Sequence, residues 1–129
     1  MIRPILEQSR IHPSIQPAIA DNNIDIIQEV EVAIASNDIV IIGMAQNPVP
    51  KKARKLLDGL GIDYCYLEYG SYFSLWRRRN TLKMWSGWPS FPMIFVKGTL
   101  IGGAQDLQAL VDKAELMDML KASNEIPTS

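Results

Sequence analysis

Residues 88–103 read WPSFPMIFVKGTLIGG, and the rest of the fold can be worked out from this stretch. Two prolines, three residues apart, restrict the backbone and remove two amide donors just before an apolar run at 93–96, which predicts a buried strand with a constrained entry. Lys97-Gly98 predicts a tight turn into a second short strand at 99–101, and Gly102-Gly103 lets the chain bend again. The stretch therefore predicts a β-hairpin followed by a helix.

Upstream, the pattern predicts a helix and then a central strand. Apolar residues at helical spacing follow Asp21 and Asn22, either of which can cap the helix, and the helix should end near Asn37-Asp38; these apolar positions are Ile24, Ile27, Val30 and Ile34. Residues 39–42 are β-branched and apolar without alternation. This pattern is typical of a strand that is covered on both faces.

A second helix should begin at Asn47-Pro48, because asparagine is a favoured cap and proline is tolerated in the first turn, where Pro50 also falls. Gly61 is expected to close this helix. One face is basic, and the other is formed by Val49, Ala53, Leu56, Leu57 and Leu60. The alternating, aromatic-rich residues 64–69 then predict a strand with two unlike faces.

Residues 72–85 return to helical spacing and include three consecutive arginines, Arg77, Arg78 and Arg79. Three arginines on one helical turn point in three directions, so a solvated face is favoured over a phosphate-binding patch. A single amphipathic helix is predicted at the C-terminal end from Leu107, Leu110, Val111, Ala114, Met117 and Leu120.

This order of elements predicts an α/β fold. Strands joined through a helix should be parallel and the final hairpin antiparallel, which gives a mixed four-stranded sheet with helices on both faces. Within the 129 residues, we expect an extended or partly disordered N-terminal arm at 1–20, one domain at 21–122 and a frayed tail at 123–129.

Composition excludes several classes of function. The formal net charge of −1 gives no field for nucleic acid or membrane binding, and a single cysteine allows no intramolecular disulfide. His12 stands without a second ligand at metal spacing and is expected at the surface. The N-terminal residues contain no apolar run long enough for a secretory signal, so a cytoplasmic location is expected.

The hairpin stretch resembles the C-terminal half of a glutaredoxin, in which a Trp-Pro-Ser/Thr-x-Pro segment, a strand, a Lys/Asn-Gly turn and a strand ending in Gly-Gly precede the last helix. Residues 39–43 and the helix and strand from Lys51 to Tyr64 are similar to the family's first strand, first core helix and second strand. The match covers roughly residues 30–120 and is nearest to the single-cysteine members. It implies a thioredoxin-like fold and a role in cell redox homeostasis.

The family's reactive tetrapeptide, Cys-x-x-Cys or Cys-Gly-Phe-Ser, is replaced here by Asn47-Pro48-Val49-Pro50. Asn47 and Pro50 stand at the two catalytic positions, and neither can act as the thiolate that attacks a disulfide. The one thiol, Cys65, is expected in the second strand as a buried or half-buried small apolar residue. We therefore expect no thiol–disulfide exchange by the protein's own side chains, and no iron–sulfur cluster, because such a cluster selects thiolate ligands.

The resemblance also implies a glutathione-binding site. In the family, glutathione pairs main chain to main chain with the residue before a cis-proline, here Phe91 before Pro92. The γ-glutamyl end is held at the start of the last helix, here Gln105 and Asp106. Single-cysteine members have aspartate where Gln105 stands, which weakens one charge contact that Asp106 can replace.

Basic groups meet the glycyl carboxylate in the family, and Arg79 and Lys83 fall on two of those positions, four residues apart on one helical face. A third position, a lysine in the family, is Met44. Arg79 and Lys83 are equally compatible with surface charges that bind nothing, since an analogy of fold is a weak warrant for a site.

Three hypotheses follow. The first is a glutathione-binding or protein-binding module without thiol chemistry of its own. The second is a glutathione-dependent oxidoreductase or transferase in which bound glutathione supplies the thiol and Asn47 donates a hydrogen bond to it. The third is a structural protein whose N-terminal arm and tyrosine cluster, Tyr64, Tyr66, Tyr69 and Tyr72, form a homodimer.

Overall fold

A computed structural model describes residues 3–44, 48–70 and 76–122 of the chain. After a short 3-10 turn at Gln8–Arg10, these residues form six helices and four strands: α1 (Gln16–Asp21), α2 (Ile24–Ser36), β1 (Ile39–Gly43), α3 (Pro48–Gly59), β2 (Cys65–Glu68), α4 (Trp76–Ser86), β3 (Met93–Val96), β4 (Thr99–Gly102), α5 (Ala104–Asp112) and α6 (Glu115–Ala122). No helix within the described residues is long and apolar enough to span a bilayer.

The strands form one mixed sheet in the order β2-β1-β3-β4. β1 runs parallel to β2, with Ile41 opposite Tyr66, and antiparallel to β3, with Ile41 opposite Ile94. β3 and β4 are antiparallel and are joined by Lys97 and Gly98, which both have positive φ, as a tight hairpin turn requires. The predicted mixed four-stranded sheet, with parallel first strands and an antiparallel hairpin, is confirmed.

Every residue of β1 is buried, and its side chains alternate between two apolar layers. Val40 and Ile42 pack in the layer under α2 and α4, and Ile39 and Ile41 pack in the layer under α3, α5 and α6. The first layer includes Ile26, Val30, Leu82, Met93 and Phe95, and the second includes Ala53, Leu57, Ile94, Leu107 and Leu116. The prediction of a strand covered on two faces is therefore confirmed.

Helix α2 begins later than the sequence predicts. Its cap residue is Asn23, in the left-handed region at φ 49°, rather than Asp21 or Asn22. Asparagine tolerates this conformation better than most residues because its short polar side chain bonds locally. Within α2, Ile26 and Val30 are fully buried, whereas Ile24, predicted on the buried face, is 40% exposed.

The N-terminal arm contains more helix than expected, because Gln16–Asp21 forms α1 with a proline in its first turn, where the missing amide is tolerated. Gln16 Nε2 donates to the carbonyl of Ile11 at 2.8 Å, and Arg3 Nη2 donates to the carbonyl of Trp85 at 3.4 Å. The arm therefore contacts α4.

Helix α3 ends where Gly61 predicts. Gly61 has φ 68°, and its amide bonds the carbonyl of Asp58 at 3.1 Å while the amide of Ile62 bonds that of Leu57 at 3.0 Å. These two bonds satisfy carbonyls that the helix leaves without partners. Two predicted apolar-face residues, Val49 and Leu60, are exposed, and residues 72–75 of the helix predicted at 72–85 lie outside the described ranges.

The single C-terminal helix predicted from the sequence is wrong, because the chain forms α5 and α6 with a break at Ala114, which has φ 58°. At about 100° per residue, Leu107 and Leu116 would lie on nearly opposite faces of a continuous helix. The break lets both enter the same apolar layer, with Leu107 fully buried and Leu116 2% exposed. Met117, predicted on the buried face, is 50% exposed.

This arrangement predicts opposite outcomes for two neighbouring substitutions in α6. Leu116→Ala should lower the free energy of unfolding by about 2–5 kcal/mol, because it leaves a cavity in the layer under the sheet. Met117→Ala should lower it by less than about 0.5 kcal/mol, as an exposed position does. Urea unfolding monitored by circular dichroism measures both values, and equal losses would contradict the break at Ala114.

Candidate functional site

The candidate site lies where β1 ends and β3 begins. Gly43 is the last residue of β1, Ile42 pairs with Met93 at the start of β3, and Phe91 lies beyond this last pair of the β1–β3 ladder. The Phe91–Pro92 peptide bond is cis, as the resemblance implies. The main chain of Phe91 thus lies at the end of the sheet where β1 finishes, beside the carboxyl end of that strand.

Two predicted basic residues line a groove at this edge. Arg79, Lys83 and Phe91 form its walls together with Met44, Trp76, Asn80, Pro89 and Ser90, and its volume is about 350 Å³. Arg79 is buried, with only 6% of its surface exposed, and its Nη1 donates to the carbonyl of Tyr69 at 3.0 Å. Lys83 Nζ lies 5.7 Å from the centre of the Phe91 ring, within cation–π range.

A second groove of about 190 Å³ continues from the first across the cis peptide bond. It shares Ser90 and Phe91 with the first groove and is also lined by Val49, Trp88, Pro92, Gly103, Ala104, Gln105 and Asp106. The six residues predicted for glutathione therefore lie along two adjoining grooves. Their side chains come from α4, from the segment before β3 and from the first turn of α5.

Asp106 has a structural partner within this second groove. Its Oδ2 accepts a hydrogen bond from the amide of Gly103 at 2.8 Å, which caps the start of α5. The same carboxylate lies so close to Gly102 that a Cβ there would collide with it, and Gly102 has φ 115°. Asp106 is exposed and keeps further acceptor sites, but its main fixed contact is the cap.

The three consecutive arginines have three different environments. Arg77 is exposed and lies over the Trp76 ring at 5.3 Å, and Arg78 pairs with Asp25 at 2.8 Å, which holds the pKa of that carboxyl below its ordinary value. Arg79 points inward. The predicted solvated face is therefore wrong for Arg79, because the helix turns about 100° per residue and directs this side chain at the sheet edge.

The first turn of α3 flanks the second groove through Val49. Asn47 lies outside the described residues, and Pro50 is buried against the end of β1. A helix leaves its first four amides without intrahelical partners, and these normally favour an anion. Here Pro48 and Pro50 have no amide N–H, so only Val49 and Lys51 of the first four residues can donate.

Tyr66 packs behind this turn and was missed by the sequence analysis as part of the site. A Cβ on Gly43 would lie 2.8 Å from Tyr66 Oη and 3.0 Å from Pro50 Cβ, so glycine allows this close approach. The Arg54 guanidinium stacks on the Tyr66 ring at 4.3 Å, and Tyr66 Oη donates to Glu68 at 2.9 Å. Burial, together with the Glu68 carboxylate, raises the pKa of Tyr66 to about 12.

Cys65 lies away from the grooves. It is half-buried, as predicted, and packs in the layer under α2 and α4. Cys65 pairs with Val40, which lies three residues before Gly43 in β1. At about 3.3 Å per residue, Cys65 is therefore roughly 10 Å along the sheet from the end of β1. His12 is exposed as predicted, and its Nδ1 is 3.1 Å from the amide of Ser14, which donates to it.

The tyrosine cluster divides between the two apolar layers. Tyr64 and Tyr66 pack against the layer under α3, α5 and α6, whereas Tyr69 is 6% exposed in the opposite layer. Tyr72 lies outside the described residues. The three described tyrosines thus make internal contacts.

Comparison with known proteins gives a consistent result. The family model described as "Glutaredoxin" matches residues 39–101, from β1 to β4. A "Glutaredoxin-like protein" of Dictyostelium discoideum is 46% identical over 97 residues, which are 75% of this chain and 79% of the relative. A Legionella pneumophila protein named "Probable monothiol glutaredoxin GrlA" is 31% identical over 60% of this chain and 84% of its own length.

Solved structures show the same fold. A buckwheat glutaredoxin–glutathione complex superposes with a TM-score of 0.69 and 22% sequence identity, over 82% of this chain and 96% of that chain. A wheat glutaredoxin gives a TM-score of 0.67 at 23% identity, over 78% and 94%. Both likenesses establish the thioredoxin-like fold.

The environment of Tyr66 predicts its behaviour in alkaline solution. In the folded protein, Tyr66 should ionise near pH 12 rather than near pH 10. Because the folded-state pKa is the higher one, neutral Tyr66 stabilises the fold below pH 10, and this contribution disappears as the pH rises towards 12.

Tyrosinate absorbance of wild type and Tyr66→Phe measures this ionisation. The variant should lack one late-titrating group, and its free energy of unfolding should fall less steeply above pH 10. A Tyr66 signal near pH 10 in the folded protein would contradict the burial of its ring and its hydrogen bond to Glu68.

Proposed function

Because this chain belongs to the glutaredoxin family, we propose that it is a glutathione-binding member that carries out no thiol–disulfide exchange with its own side chains. The observation that carries the proposal is the continuous pair of grooves. Arg79, Lys83 and Phe91 line one groove, and Pro92, Gln105 and Asp106 line the one that adjoins it.

The chemistry of these grooves fits a short peptide with a carboxylate at each end. Arg79 and Lys83 supply positive charge for the glycyl carboxylate, and a guanidinium matches a carboxylate in geometry as well as charge. Phe91 supplies main-chain groups beyond the end of the β1–β3 ladder, where an extended peptide can add like a strand. The first turn of α5 receives the γ-glutamyl end, where amides favour an anion.

The proposed lack of thiol–disulfide exchange follows from the number and position of the cysteines. The chain has one cysteine, Cys65, which sits in β2 towards the far end of the sheet from the grooves. Asn47 and Pro50 occupy the family's catalytic positions by the resemblance, and neither side chain can form a thiolate. The lack of a cysteine at these positions also argues against an iron–sulfur cluster, because thiolates would have to hold it.

The first turn of α3 bears on whether glutathione itself supplies a reactive thiol. A thiolate beside a helix start is stabilised by the amides there, and Pro48 and Pro50 remove two of the four. The glutathione thiol therefore receives less stabilisation than a complete helix start would give. We propose that this chain binds glutathione, or a protein partner through the same grooves, rather than activating it.

A titration with reduced glutathione tests binding. Wild type should bind, and Arg79→Ala should weaken binding about 10-fold or more, because a hydrogen bond to a charged group contributes roughly 1.5–3 kcal/mol. Isothermal calorimetry measures both affinities, and circular dichroism checks that the variant is folded.

Arg77→Ala is the matched control, because Arg77 lies on the same helix but is exposed and does not line either groove. Its affinity should equal that of wild type. No heat and no NMR shift at millimolar glutathione would refute the proposed function.

A coupled glutathione–disulfide assay tests catalysis separately. We expect a rate equal to that of a blank containing thiol and no protein, because no side chain at the grooves supplies a nucleophilic sulfur. Turnover above the blank that Asn47→Ala abolishes would instead show an enzyme in which bound glutathione provides the thiol.

A further inference from the structure

Tyr69 joins three elements behind the candidate site. Its amide donates to the carbonyl of Gly43 at 3.0 Å, its carbonyl accepts from Arg79 Nη1 at 3.0 Å, and its hydroxyl donates to Glu29 Oε1 at 2.6 Å. These contacts reach the end of β1, helix α4 and helix α2. The residue is 6% exposed.

The hydrogen bond to Glu29 connects the Tyr69 hydroxyl to helix α2, which packs on the sheet. Glu29 lies on the outer side of α2, whose neighbouring residues Ile26 and Val30 are fully buried under the sheet. Burial and the bond to Glu29 raise the pKa of Tyr69, so its hydroxyl remains a donor at neutral pH. A short hydrogen bond to a carboxylate is stronger than one between neutral groups.

The contact with Arg79 matters because an arginine side chain is long and has several rotatable bonds. A buried carbonyl that accepts from one guanidinium nitrogen restricts these rotations and holds the guanidinium plane in a defined direction. A binding group that is oriented before the ligand arrives loses less entropy on binding.

We infer that the main-chain carbonyl of Tyr69, held in place through the bond of the Tyr69 hydroxyl to Glu29, positions Arg79 to receive the carboxylate of the ligand. This inference rests on the proposed function, because it concerns the same groove. Tyr69 does not line either groove, so it acts on the ligand indirectly, through Arg79.

The chain offers a control for this network. Asp25 pairs with Arg78 at 2.8 Å, one turn of α2 before Glu29, and so ties the same two helices together without reaching Arg79. If the network merely held α2 against α4, breaking either contact would have the same effect. If it positions Arg79, only the contact through Tyr69 matters for binding.

The experiment compares two probes, glutathione and its glycyl ethyl ester, in which the glycyl carboxylate carries no charge. Tyr69→Phe keeps the carbonyl that accepts from Arg79 but removes the hydroxyl bond to Glu29 that anchors it, and it should weaken glutathione binding up to about fivefold, the effect of one hydrogen bond of ordinary strength. It should leave the affinity for the ester unchanged. Glu29→Ala should match Tyr69→Phe, Glu29→Gln should restore most of the affinity because its amide oxygen accepts the same bond, and Asp25→Ala should bind both probes like wild type.

In an Arg79→Ala background, Tyr69→Phe should cause no further loss, since the two residues act as one unit. The comparison of probes answers the same question without an Arg79 variant if that variant fails to fold.

Each other outcome is decisive. A wild-type protein that does not bind glutathione refutes the proposed function, and the positioning role with it. Binding that Arg79→Ala weakens and Tyr69→Phe leaves unchanged overturns the positioning role alone. Equal losses for both probes, or an Asp25→Ala loss equal to that of Tyr69→Phe, would assign Tyr69 a general structural role and also overturn it.

Discussion

The structure depends on the burial of β1 on both of its faces. Side chains that alternate along Ile39–Gly43 enter two different apolar layers, so α2 and α4 must cover one face while α3, α5 and α6 cover the other. Hydrogen bonds to β2 and β3 occupy both of its edges. Because all four sides are filled, β1 can meet a ligand only at its ends, and the parts of the candidate site meet at its carboxyl end.

Around that end, the family frame is kept. The cis peptide bond before β3, the inward arginine of α4 and the cap of α5 lie together along the two grooves, where they present charge and main-chain groups. The helix that would activate a thiol begins instead with two prolines, and the one sulfur nucleophile of the chain lies further down the sheet. Under the proposed function, recognition and reaction, which use different atoms, are separated in one fold.

Some of this could be predicted from the sequence because it depends on local patterns. The bounds of β3, the burial of β1 and the end of α3 follow from apolar runs, prolines and one glycine, and the cis bond follows from the resemblance. The break at Ala114 could not, because alanine gives no local signal for it and only the packing of Leu116 requires it. Nor could the contacts of Tyr69, since Glu29, Gly43 and Arg79 meet it only after the sheet has formed.

The turn at Lys97 and Gly98 has a consequence for the order in which the chain folds. It joins β3 to β4 directly, so this hairpin closes a very short loop, whereas the pairing of Ile42 with Met93 closes a loop of about two fifths of the chain. Loop-closure entropy rises with loop length, so the hairpin is the less costly first step. Until the hairpin docks, β1 carries four core side chains and an open edge, and this is the interval in which a nascent chain is most exposed to aggregation.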